Sequence, residues 1–300
     1  MRKRGKKYTA AGTILLFFIL LATAFLGQNE EKVASNQAIQ NEINTAVTNG
    51  NLQVYYIDVG QADSILVQCD GQNMLIDAGT NEAGEDVVNF LKERQITKLD
   101  YLLGTHPHED HIGGLDDVID NFTIGTIYLP DIQTNTKTFE DVLDAAANKD
   151  LTITTPKVGD NFSLGQANLE VMSSILDEDN LNLSSLVLRM VYGENSFLFM
   201  GDAEVQNEQE RNWPQTQILK VGHHGSDTST SQEFLNQVKP EVAVISVGKD
   251  NSYGHPNQEI LNRLQQMNVE VYRTDLDGTI CISSDGKNYT VQKIEKNVND

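Results

Sequence analysis

The chain has 300 residues, with 43 acidic side chains against 22 basic ones and a net charge of −21 at neutral pH. That length allows one large domain or two small ones with a sizeable core. The acidic balance argues against a dedicated nucleic-acid binder, which carries a basic footprint.

Arg2, Lys3, Arg4, Lys6 and Lys7 form a basic start, and residues 8–27 follow as 20 uncharged positions rich in apolar side chains. Residues 1–27 therefore read as a signal peptide or an N-terminal membrane anchor, with Ala22-Thr23-Ala24 fitting an A-x-A cleavage site. Either way the rest is expected to be exported, either extracellular or held at the outer face of the cytoplasmic membrane. Losing those five positive charges takes the net charge from −21 to about −26. Membrane contact is expected only through this segment, and no obligate protein partner is evident. Residues 28–50 are polar and read as a linker, which leaves 51–300 as the folded domain.

Periodicity predicts strands at 52–57, 64–68 and 73–76, a helix at 85–93 and a strand at 99–103. The middle alternates less cleanly: a helix at 139–148, then strands at 167–172, 185–192 and 196–200. The last third alternates strand and helix: strand 217–221, helix 232–238, strand 242–247, helix 257–266, and strands 269–272 and 279–282. Hairpins followed by β-α alternation point to two sheets faced by helices. The two cysteines, Cys69 and Cys281, fall in predicted strands with no metal spacing and read as unpaired apolar thiols.

All six histidines fall in three short stretches, each just after a predicted strand: His106-Pro107-His108-Glu109-Asp110-His111, His223-His224-Gly225 and Gly254-His255-Pro256. Loops at strand ends are where a layered α/β fold builds its site. The first stretch reads H-x-H-x-D-H. Side chains at i and i+2 of an extended loop project to one side, so His106 and His108 can share an ion. Asp110 and His111 can turn with the next helix and reach a second. Two ions about 3.5–4 Å apart call for a bridging carboxylate, and Asp202, at a strand end after Gly201, fits that role. His224, at the end of the next strand, can complete the second site, with its neighbour His223 as the alternative. His255 has two readings, as a ligand or as a group that stabilises or protonates the leaving oxygen. Asp58 and Asp77 are expected to hold loops beneath the metals.

The pattern resembles the metallo-β-lactamase superfamily and, within it, the hydrolase domain of the competence DNA-uptake protein ComEC and its stand-alone relatives. The resemblance rests on Asp58-Val59-Gly60-Gln61-Ala62-Asp63-Ser64, Leu75-Ile76-Asp77-Ala78-Gly79, Thr105 to Gly114, Met200-Gly201-Asp202-Ala203, Lys220 to Ser226, Ile245-Ser246-Val247-Gly248 and Tyr253-Gly254-His255-Pro256, spanning about residues 52–282. It implies an α/β fold, a four-layer αβ/βα sandwich with the metals at one edge of the sheets. Two departures stand out. Ala62 replaces a glycine of the family pattern, and residues 179–185 hold none of the histidine that the superfamily usually supplies there.

These readings converge on a hydrolase with two divalent ions, zinc with manganese as the alternative. The ligands are His106, His108, Asp110, His111, Asp202 and His224, and Asp110 and His255 carry the chemistry. Two ions lower the pKa of a bridging water toward about 7, which makes hydroxide available at neutral pH. The expected substrate is a phosphodiester, in nucleic acid or in the cell envelope. The alternatives are a lactam or ester carbonyl hydrolase and a non-catalytic metal-binding module.

Overall fold

Alternating burial sets the layers. The computed structural model describes residues 52–295. The leader and linker expected over residues 1–50 lie outside that range. No helix of the described residues is long and apolar enough to cross a membrane.

Among the described residues six strands come first: β1 (Leu52–Tyr56), β2 (Ser64–Cys69), β3 (Gln72–Ala78), β4 (Lys98–Leu103), β5 (Thr123–Tyr128) and β6 (Ile153–Thr154). Seven more follow: β7 (Asn161–Leu164), β8 (Ala167–Ser173), β9 (Val187–Tyr192), β10 (Asn195–Phe199), β11 (Ile218–Lys220), β12 (Val242–Ile245) and β13 (Glu270–Arg273). A last hairpin, β14 (Thr279–Ser284) and β15 (Tyr289–Ile294), returns to the first sheet. The eight-stranded sheet runs β15-β14-β1-β2-β3-β4-β5-β6, and the seven-stranded sheet runs β13-β12-β11-β10-β9-β8-β7. In each sheet an antiparallel meander gives way to parallel strands, from β3 onward in the first and from β10 onward in the second.

Helices α1 (Gly84–Glu93), α3 (Leu115–Asn121) and α4 (Lys137–Asn148) cover the first sheet, while the single turn α2 (Glu109–Ile112) carries part of the histidine cluster. After the short α5 (Val205–Gln209), helices α6 (Gln232–Val238) and α7 (Gln258–Gln266) cover the second sheet, and α8 (Thr274–Asp277) is a closing turn. Side chains two apart on a strand share a face. On β1, Tyr55 joins the cluster under α1, α3 and α4, while Val54 and Tyr56 enter the cluster between the sheets. On β10, Phe197 and Phe199 face the first sheet and Leu198 packs with Phe234, Leu235, Ile260 and Leu264 of α6 and α7. Helix, sheet, sheet and helix therefore stack in that order, with each large apolar side chain so buried contributing about 1.5–3 kcal/mol. This is the metallo-β-lactamase fold that the sequence implies.

Several boundaries shift for local reasons. The strand expected from 185 starts at Val187, because Leu181–Ser184 forms a 3-10 turn in which the Ser184 hydroxyl donates to Leu181 O. The helix expected from 257 starts at Gln258, because Asn257 is its N-cap and accepts from Glu259 N. Strands β5, β6, β7 and β15 and helix α3 join the elements that periodicity marks.

Cys69 and Cys281 are both free and buried. Cys69 points into the layer between the sheets and Cys281 toward the helices, on opposite faces of one sheet. Burial also pushes the Cys281 thiol up to about 11. The expected outcome is two thiols that react with Ellman's reagent only after denaturation, and a melting temperature unchanged by dithiothreitol. A drop in that temperature on reduction would show a bridge.

Candidate metal centre

Every histidine-bearing loop leaves the C-terminal end of a parallel strand. Strand β4 feeds Thr105 to His111, β10 feeds Gly201 and Asp202, β11 feeds Gly222 to Gly225, and β12 feeds the loop that ends at His255 and Pro256. The loops converge at one edge of the two sheets. Close backbone approach makes this possible: a Cβ on Gly114 would lie 2.5 Å from Ala78 O, at the end of β3.

Asp77, the penultimate residue of β3, is buried beneath the first loop. Its carboxylate accepts from Thr105 N at 2.7 Å and Thr105 Oγ1 at 2.8 Å, and it lies 2.8 Å from His111 Nδ1. A histidine that spends Nδ1 on a carboxylate turns Nε2 the other way, ready for a metal. Asp77 thus takes the supporting place expected of it. Asp58 does not reach the site: its carboxylate accepts from Gly60 N at 3.3 Å and stays within its own turn.

Asp110, His111, Asp202 and His224 each present a ligand atom, and the four atoms all lie within 4.8 Å of one another. His111 Nε2 is 3.2 Å from Asp202 Oδ1 and 3.8 Å from Asp110 Oδ2, and His224 Nε2 is 3.5 Å and 3.3 Å from the same two oxygens. His224 is steered as His111 is, with Nδ1 held 2.9 Å from Ser246 O. His111 Nε2, His224 Nε2 and Asp202 Oδ1 are buried and lack a hydrogen-bond partner. Orphaned polar atoms of that kind are costly, and here they converge on one point with mixed N and O chemistry. The set fits a divalent cation.

His106 and His108 stand on the other side of Asp202. His106 Nε2 is 3.0 Å from His108 Nδ1 and 3.9 Å from Asp202 Oδ2. The stretch without a histidine, residues 179–185, places Asn182 and Ser185 near this half: Asn182 Nδ2 is 3.5 Å from His223 Nε2, and Ser185 Oγ is 3.4 Å from His106 Nδ1.

The adjacent histidines divide between the two halves. His223 and His224 both have left-handed backbone, at φ 48° and 52°, followed by Gly225 at 81°. Two non-glycine residues in that region cost about 1–2 kcal/mol each. The turn sends His224 Nε2 to Asp202 Oδ1 and His223 Nε2 to within 3.6 Å of Asp202 Oδ2. Gly225 has no substitute, since a Cβ there would sit 2.6 Å from Pro256 Cβ. His255 stands outside the donor set: its ring packs against His223 and Tyr253, each with centroids 5.8 Å apart.

Sequence reasoning gave no role to a buried ion pair beneath His224. Lys220 Nζ lies 2.7 Å from Asp63 Oδ2 and donates to Val221 O at 3.0 Å, with both side chains essentially inaccessible. Asp63 Oδ1 is 3.4 Å from His224 Nδ1. Removing one partner of such a pair strands a charge in the core and costs about 3–5 kcal/mol. The one signal in the sequence was a lysine closing an apolar strand just before the histidine pair.

Burial, then His111, holds the His106 pKa well below the ordinary value, so that ring is neutral. Burial also opposes charge on His111, but Asp202, Asp110 and Asp77 together outweigh it and raise its pKa well above the ordinary value. For His224, burial is again outweighed, by Asp202 and Asp110, and its pKa rises. Burial disfavours ionised Asp202 and Asp110, yet the neighbouring histidines hold both below the usual carboxylate range. Without a cation, protons on His111 and His224 neutralise the two carboxylates. Ligation needs those imidazoles neutral, so binding releases protons and affinity must rise with pH. Calorimetric titration with zinc should show proton release and a Kd that falls from about pH 6 to about pH 8. A pH-independent Kd would refute this account.

Comparison with known proteins places this geometry. The Metallo-beta-lactamase superfamily matches residues 57–249. ComE operon protein 3 of Bacillus subtilis (strain 168) is 36% identical over 251 residues, covering 76% of this chain and 32% of that protein. Competence protein ComA of Neisseria gonorrhoeae is 30% identical over 270 residues, covering 87% of this chain and 34% of that protein. The chain thus spans about a third of the length of these relatives. Among solved structures, the metallo-beta-lactamase fold protein YhfI from Bacillus subtilis superposes with a TM-score of 0.53 at 12% identity, covering 79% of this chain and 100% of that one. Strand order, the converging strand-end loops and the matched residues agree: the chain belongs to the metallo-β-lactamase superfamily.

Proposed function

We propose that this protein is an exported phosphodiesterase that works with two divalent metal ions. The observation that carries the reading is the fork of Asp202. One of its oxygens faces His111 and His224, and the other faces His106 and His223. A buried carboxylate divided in this way suits a bridge between two ions. Asp110, His111, Asp202 and His224 would hold one ion, and His106, His108 and Asp202 the other. Zinc suits this set, and manganese is the alternative. When bound, the pair supplies an activated water and polarises a phosphoryl oxygen.

The chain's own groups supply the rest. Asp110 is ionised and part-exposed, so its free acceptor capacity can orient the attacking water. His255 is half-buried at the rim, and burial together with His223 and His224 holds its pKa below the ordinary value. A neutral ring of that kind can donate an N–H to the departing oxygen. The competence proteins among the relatives support a nucleic-acid phosphodiester. The basic start and the uncharged run after it support an exported enzyme and leave an envelope phosphodiester as the other source. The net charge of −21 favours recognition close to the metals over long-range attraction of a polyanion.

The two half-sites are unequal, because only the His111 side has four converging donors. Dialysis followed by metal analysis should leave the protein with one tightly held ion, and titration should add a second, weaker one. His111→Ala should lose the tight ion and His106→Ala only the weak one. Equal affinities would sink this ranking.

The reaction is tested with bis(p-nitrophenyl) phosphate, zinc or manganese, and a chelator control. Asp110→Ala and His108→Ala should each cut turnover by about 10²-fold or more, with unchanged far-ultraviolet dichroism. Wild-type rates in either folded variant would overturn the assignment. Nitrocefin turnover without diester turnover would move the enzyme to carbonyl chemistry, and absence of metal binding would make it a binding module.

A further inference from the structure

Tyr253 is 72% exposed and is the only aromatic among the large, exposed apolar side chains of the described residues. Its position is not that of a stray surface ring. It stacks on His255 with centroids 5.8 Å apart and planes 17° from parallel. His255 in turn meets His223 edge-on at 5.8 Å, and His223 Nε2 lies 3.6 Å from Asp202 Oδ2. Two ring-to-ring steps therefore connect an open aromatic face to the carboxylate at the centre of the site.

The loop beneath it is built to stay in place. Asn251 Oδ1 accepts from Tyr253 N at 3.2 Å and from His255 N at 3.1 Å, while its Nδ2 donates to Gly248 O at 3.0 Å and His255 O at 2.7 Å. Gly248 N donates to Gln61 Oε1 at 3.0 Å, and Asn257 N donates to Gly225 O at 2.8 Å, next to the histidine pair. One face of the ring is backed by His255 and the ring stands on a braced loop, so it can offer a preorganised flat surface at little entropic cost.

We infer that the open face of Tyr253 is a stacking subsite that seats a nucleobase of the substrate beside the phosphodiester to be cleaved. This rests on the phosphodiesterase reading and adds to it a group that recognises one ester arm. Base stacking on an aromatic ring tolerates any base and needs no positive charge, which suits an acidic protein. A quaternary ammonium headgroup is instead held by a cage of several rings, and no second exposed aromatic stands here among the described residues. Asp227 acts on His255 electrostatically, which is the feature a cationic group would exploit, so the test includes one.

The experiment compares two diesters with the same leaving group, thymidine 5′-(p-nitrophenyl phosphate) and p-nitrophenyl phosphorylcholine. They are assayed with the metal-loaded protein and its Tyr253→Ala, Tyr253→Phe and Tyr253→Trp variants. Tyr253→Ala should raise KM for the thymidine ester about tenfold, with kcat within about twofold of wild type. The Phe and Trp variants should keep the wild-type KM, and the phosphorylcholine ester should be unaffected throughout. An unchanged KM for the thymidine ester in Tyr253→Ala overturns the inference. So does an effect confined to the phosphorylcholine ester, which gives the ring to a cationic headgroup. A KM increase shared by both esters would put the nitrophenyl group on the ring and also overturns it. If the wild-type protein cleaves neither ester, the phosphodiesterase reading fails by itself. Calorimetric binding of thymidine 5′-monophosphate then decides the subsite: binding kept by Phe and weakened about tenfold by Ala supports it, and no binding or equal binding overturns it.

Discussion

Asp202 sits in the core with its two oxygens turned toward four imidazoles. Burial alone would push its carboxyl toward the neutral form, and the surrounding histidines reverse that. Three of the atoms that meet there have no hydrogen-bond partner in the protein. Leaving each of them unpaired costs about 1–3 kcal/mol, more where charge is involved. Only protons or a cation can offset that, so the site is held together by the charge it is made to receive.

The rest of the fold maintains that arrangement. Asp77 fixes His111 from below, Ser246 O fixes His224, and the Asp63–Lys220 pair supports the base of the second loop. These supports come from both sheets, and they can meet only because the parallel strands of the two sheets end at one edge. The backbone also accepts strain: His223 and His224 hold left-handed geometry that few residues tolerate, and the turn directs the two rings to different oxygens of one carboxylate. Strain of this kind survives when the neighbouring packing over-determines it. Here Gly225 against Pro256 does so.

The site is uneven by construction. Where the superfamily usually places a histidine, this chain has a 3-10 turn bearing Asn182, and the carboxamide faces His223 and Glu204. Among the described residues, the His106 half is left with fewer converging donors than the His111 half. A chain of net charge −21 gains nothing from long-range attraction to polyanions, so any anionic group would have to be recognised close to the site.

The sequence by itself determined the layered class and the donor types of the candidate site. Spacing in H-x-H-x-D-H needs only local geometry, since extended backbone projects i and i+2 to one side. The long apolar strands and amphipathic helices likewise declare themselves by periodicity. What periodicity missed was stabilised from elsewhere. β5 carries Gly125, where a Cβ would meet Asp100 O of β4 at 2.5 Å, and β15 is a polar edge strand that exists because β14 pairs with it. In the site, the sequence favoured His224 over His223 as the ligand. The left-handed turn sends both rings toward Asp202, and no local pattern encodes a pair of strained residues. Asp63 and Lys220 lie 157 positions apart, and their pairing depends on strands of different sheets ending at the same edge. Identity of the donors was local information. Which donor serves which half, and what holds it there, was decided by long-range packing.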